Sequence, residues 1–158
     1  MTEEINFDSG KMFSRPPIKT GALSVFTQYP GRVIPLRNRI ADTLQQLSIS
    51  NCYCNTGFAS LSVTIGQPPS SFIGDITNIA GGIADAIGPA HKNFINNMNQ
   101  YAENQYNPRI HPSIPLLITD DSIFSVLHVE RVTSDSEWYR LQVSGHYDEN
   151  SRGYNDSL

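Results

Sequence analysis

Leu36, Ile40, Leu44 and Leu47 recur at helical spacing, with Arg37, Arg39, Asp42, Gln45 and Gln46 on the opposite side. This stripe predicts an amphipathic helix ending near Ser48, with Pro35 near its first turn, where proline is tolerated. From Ser60 to Ile65 the period changes to two. Leu61, Val63 and Ile65 alternate with Ser60, Ser62 and Thr64, the pattern of a half-buried strand. Gln67-Pro68-Pro69 stops it. Residues 70–88 return to helical spacing through Phe72, Ile73, Ile76, Ile79, Ala80, Ile83 and Ile87. Ser70 or Ser71 suits its N-cap. Gly81-Gly82 weakens its middle by about 1 kcal/mol per glycine relative to alanine, and Pro89 ends it.

Weaker patterns fill the rest. Residues 1–20 read as an extended arm, because apolar residues are sparse and Pro16-Pro17 blocks regular pairing. Ala22 to Tyr29 reads as a short strand, followed by a turn at Pro30-Gly31; Asn55-Thr56-Gly57 marks another turn. Phe94, Met98 and Tyr101 or Ala102 suggest a helix over 90–104, and Asn107-Pro108 and His111-Pro112 an extended connector. Leu116 to Ile118 is a short strand with a turn at Asp120-Asp121. Ile123 to Val132 is apolar on both faces in its middle, which predicts a central strand. Thr133 to Glu137 then reads as a hairpin loop. In Trp138 to His146, residues Tyr139, Leu141 and Val143 face inward. The resulting organisation is an arm at 1–20, a single α+β domain at 21–147 and a flexible polar tail at 148–158. Its core is a small, mostly antiparallel sheet or sandwich packed with two or three helices.

Composition sharpens this reading. A chain of 158 residues suits one domain. Only 16% of residues are charged against the usual ~25%, while 39% are hydrophobic, which argues against wholesale disorder. No run of about 18 uncharged apolar residues exists, so no membrane span is expected. The start, Met1-Thr2-Glu3-Glu4, has neither the basic start nor the apolar stretch of a secretory signal. Synthesis in a cytosol is the expectation, with a final location inside an assembled particle.

No motif identifies a reaction. Cys52 and Cys54 bridge poorly at that spacing and lack nearby histidine, so both read as free thiols. On the two arms of the expected hairpin, Val132 pairs with Trp138, His128 with Gln142 and His146 with Phe124. The histidines do not meet. Ser144, His146 and Asp148 are near in sequence only, whereas a triad is a spatial arrangement. From Asp148 the chain starts like a calcium loop, but Arg152 stands where an oxygen ligand belongs. No Walker loop, dinucleotide fingerprint or H-E-x-x-H occurs, and no cofactor or metal is expected. In the 70–88 segment the polar side carries Asp75 and Asp85, which favours a core or subunit-interface helix over a membrane-active one.

Charge is unevenly placed, although the net charge is only −4. Lys11, Arg15, Lys19, Arg32, Arg37 and Arg39 follow one another without an acid, whereas acids dominate from Asp120 onward. Asp120, Asp121, Asp135 and Glu137 are the acidic interaction candidates, and the six cations the basic ones. The opposed patches fit a non-enzymatic assembly subunit whose partners are copies of itself or other subunits, in a virion, phage tail or injection-like apparatus. One alternative is a small-ligand or nucleic-acid binding module using 11–39. Another is a small hydrolase using His128, His146 or Asp148. The bland counterpart of the charge pattern is an arm folded onto the acidic surface of its own chain.

Overall fold

The computed structural model describes residues 2–21, 24–46, 54, 56–71, 74–88, 118 and 121–148. A four-stranded mixed sheet runs in the order β1-β4-β2-β3. The strands are β1 (Thr2–Asp8), β2 (Thr56–Gln67), β3 (Phe124–Thr133) and β4 (Trp138–Asp148). Among the described residues, three helices, α1 (Val25–Gln28), α2 (Pro30–Gln46) and α3 (Ile76–Ala86), join this sheet in an α+β fold, with a short 3₁₀ turn at Asp121–Ile123 before β3.

The alternation in β2 places it correctly: Leu61, Val63 and Ile65 are buried, and Ser60, Ser62 and Thr64 lie on the other face. Leu61, Val63 and Ile65 meet Val143, Leu141 and Tyr139 of antiparallel β4, which are all buried too. Ile5 and Phe7 of β1 extend this apolar face. Against it lie Val33, Leu36 and Ile40 of α2 with Ile79, Ile83 and Ile87 of the α3 region. Burying a side chain of this kind stabilises the fold by ~1.5–3 kcal/mol before entropy is counted, so this layer holds the sheet and helices together.

Several sequence expectations are corrected. β3 and β4 are not a hairpin, because β2 lies between them. It pairs with β3 in parallel and with β4 in antiparallel fashion. The expected row still exists with β2 inserted: Val132, Gly66 and Trp138 lie side by side, as do His128, Ser62 and Gln142. β3 is an edge strand rather than a central one, and most of its residues are exposed. Thr2–Asp8, read as arm, is the opposite edge strand, paired along its length with β4. Two apolar residues at period two suffice there, because Glu4, Asn6 and Asp8 need only face solvent. Ala22–Tyr29, read as a strand, holds α1, whose Ser24 side chain accepts from the Phe26 amide as N-cap. Asp75, not Ser70 or Ser71, caps α3, accepting from the amides of Thr77 and Asn78.

Pro16-Pro17 lies in a buried strap across α3. The Lys19 amide donates to Asn78 O at 3.0 Å, and the Lys19 ammonium sits 3.3 Å from an Asp85 carboxylate oxygen. Gly82 is the crossing point. A β-carbon built there would meet Pro17 O at 2.3 Å, so Gly82 is a close-packing position. The expected 90–104 helix and the tail from residue 149 lie outside the described residues, as do Leu116, Leu117, Asp120 and Cys52.

Candidate interaction site

The face of the sheet turned away from the helices is polar. Its transverse rows are Asn6, Ser144, Ser60 and Val126; Asp8, Gln142, Ser62 and His128; then Arg140, Thr64 and Glu130. Side chains link along these rows. Ser144 Oγ donates to Asn6 Oδ1 at 2.9 Å, and Gln142 Nε2 donates to Asp8 Oδ2 at 3.4 Å. The Arg140 guanidinium grips both Asp8 oxygens. At one end, the Trp138 ring covers Gly66, where a β-carbon would come within 2.2 Å of it. Its indole donates to Ser134 Oγ at 2.9 Å, and the Lys11 ammonium stands 4.6 Å from the ring centre.

The hydrogen bond from Arg140 holds the Asp8 carboxyl below its ordinary pKa, against the smaller cost of burial. A carboxylate with a depressed folded-state pKa contributes stability above its unfolded pKa and loses it as pH falls through the folded value. Asp8→Asn is therefore expected to flatten the loss of stability below about pH 4, read from urea midpoints across that range. The effect is small, because both partners are partly exposed.

The basic and acidic candidates are scattered through this frame. Arg15 lies 3.4 Å from Glu137, so one early cation meets one late acid within the same chain. Glu137 also accepts from Ser71 Oγ. Arg39 donates to Ser9 O at 2.8 Å. Arg32 stands over the Tyr29 ring and donates to Pro16 O. Arg37 is only 1% exposed, and its guanidinium donates to Ala86 O at 2.8 Å and Gly88 O at 2.7 Å. It belongs to the core, and its reading as a surface interaction residue is corrected. Lys19 is held on α3 as described above. Asp135 is exposed, and the Asp121 side chain lies outside the described residues.

The hydrolase candidates are not brought together. His128 lies on β3 beside Ser62, while His146 lies on β4 opposite Glu4 and Thr56. Four positions along β4, about 14 Å, separate the row of His146 from that of His128. The Asp148 side chain lies outside the described residues. Among the described residues, no group of three His, Cys, Asp or Glu side chains is placed to hold a metal ion. Cys54 is a buried free thiol, which burial pushes up to a pKa of about 11. It stays protonated and is a poor nucleophile. Burial also raises the Tyr139 phenol well above its usual value, with the Ser14 hydroxyl and the Arg39 charge opposing.

The edge of β3 is the feature sequence reasoning missed. Val126 and Leu127 are adjacent, point to opposite faces, and are 57% and 58% exposed. His128 and Glu130 are exposed beside them, 3.8 Å apart. A signal was available. A central strand buries both faces, whereas here one face reads Val126, His128, Glu130, Val132 and the other Leu127, Val129, Arg131. Charge on both faces marks a strand open to water. Register with β2 is unbroken from Val126 to Thr133, without proline or lysine. Of the usual protections of an edge strand, this stretch carries charge at Glu130 and Arg131 but no proline, lysine or register shift. No helix among the described residues is long and apolar enough to cross a membrane. The chain matches no protein-family model, no curated protein and no solved structure.

Proposed function

We propose that this chain is a non-enzymatic assembly subunit that joins neighbouring subunits through the open edge of its sheet. The observation that carries the reading is the β3 edge, with Val126 and Leu127 more than half exposed beside a run of backbone paired only on its β2 side among the described residues. Exposed apolar residues on a regular edge favour pairing with another strand, which buries them and satisfies the outward amides and carbonyls. The contact region therefore moves from the opposed charge patches of the sequence to the sheet edge. Arg15 and Glu137 are already in contact with each other, and Arg37 serves the core. The wider setting, a virion, phage tail or injection-like particle, rests on composition.

The nucleic-acid reading has less support. Of the cations between Lys11 and Arg39, one is buried, and Arg15, Lys19 and Arg39 hold partners in their own chain. The expected result is a species of at least twice the monomer mass in light scattering, populated increasingly as protein concentration rises. A monomer at every concentration and salt level removes self-assembly.

A further inference from the structure

The row of β3 on the polar face is self-complementary when reversed. Read forward it is Val126, His128, Glu130, Val132; read backward it is valine, glutamate, histidine, valine. We infer that the β3 edge pairs antiparallel with the β3 edge of a second copy of this chain, about a two-fold axis at Val129. The inference rests on the assembly reading above and assigns its occupant, its symmetry and its register.

In this register Val126 faces Val132 of the second copy, and His128 faces Glu130 of the second copy. Symmetry repeats both contacts. On the helix-covered side Val129 meets itself across the axis, and Leu127 lies against the aliphatic stem of Arg131 from the second copy. The Arg131 guanidinium donates to Gly74 O at the start of α3. Directly opposite side chains on paired strands are the contacts that stabilise a sheet, and like charges placed opposite weaken it.

Neighbouring registers fail on chemistry. Sliding by two residues one way puts His128 opposite His128 and Val126 opposite Glu130. Sliding the other way puts Glu130 opposite Glu130 and His128 opposite Val132. A one-residue slide joins the polar face of one copy to the helix-covered face of the other. Only the axis at Val129 pairs valine with valine and imidazole with carboxylate throughout. The product is one continuous sheet of two copies, with β1 at both outer edges.

Two variants and their mixture test this. His128→Glu places glutamates opposite glutamates, and Glu130→Lys places lysines opposite histidines. Each is expected to weaken self-association roughly tenfold in sedimentation, with unchanged circular dichroism. In an equimolar mixture of the two variants, the introduced glutamate of one copy faces the introduced lysine of the other. The remaining contact, His128 against Glu130, is the native one. The mixture is therefore expected to recover the association of the parent chain. A contact within one chain cannot produce this recovery, since neither variant is repaired in itself. An assembly indifferent to both substitutions overturns the β3 edge as the contact, and with it the edge-joined reading above; a mixture that stays weak overturns the two-fold pairing alone and leaves that reading standing. A parent chain that stays monomeric overturns both.

Discussion

Replacing Arg37 by methionine is expected to lower the unfolding free energy by roughly 3 kcal/mol. Methionine keeps much of the length and apolar volume of the stem, so little cavity forms. What it loses is the guanidinium that reaches Ala86 O and Gly88 O. Ala86 O is a last-turn carbonyl of α3, where helical carbonyls have no partner within the helix and carry the negative end of its dipole, and Gly88 O lies just beyond the C-cap Ile87. Arg37 of α2 caps α3, and a buried carbonyl left without a donor costs ~1–3 kcal/mol. Lysine at this position retains the charge without the planar fork and is expected to fall between arginine and methionine. The measurement is a urea midpoint for each variant. If Arg37 served a surface contact instead, Arg37→Met would weaken association while leaving the midpoint in place.

Two adjacent glycines are expected to respond with opposite sign. Gly81→Ala should stabilise by up to about 1 kcal/mol, because alanine is the better helix former and its β-carbon would meet only Lys19 side-chain atoms at an ordinary 3.6 Å. Gly82→Ala carries the same gain in propensity but drives a methyl into the strap. Pro17 O would lie 2.3 Å away and Ile18 Cα 2.9 Å. Both are backbone, so no rotamer change relieves the contact, and overpacking of this kind costs ~1–3 kcal/mol. The strap must lift from α3, along with the amide bond from Lys19 to Asn78 O. Thermal denaturation of the two variants should show a raised midpoint for Gly81→Ala and a lowered one for Gly82→Ala. Matching shifts would mean that the strap yields freely.

These cases show what hydropathy can and cannot carry. The double glycine was visible in the sequence as a weak point in α3, but its purpose depends on a strap more than sixty residues earlier. Leu61, Val63 and Ile65 announced β2 because a strand with one face buried repeats at period two. Ile5 and Phe7 gave the same signal for β1, though only two apolar residues carried it. Topology was the larger failure. The short link from Thr133 to Glu137 suggested a hairpin, but the link instead passes β2, which occupies the place between β3 and β4. Local spacing does not say which strand fills a gap. The charge map failed for a related reason. Arg37 looks like its neighbours Arg32 and Arg39 in sequence, and only the position of the α3 terminus makes it a core residue. Candidate chemistry was legible mainly in what it kept apart: the separation of His128 from His146 follows from either topology.

The pairing of β1 with β4 also bears on the order of events during synthesis. Asp8 is matched with Gln142, and at ribosomal rates the chain between them takes on the order of ten seconds to make. Throughout that interval β1 has no strand to join, and β2 waits first for β3 and then for β4. β2 and β3 can pair once Thr133 is made, but β1 joins the sheet only when β4 arrives between it and β2. Long-range pairing of this kind slows folding.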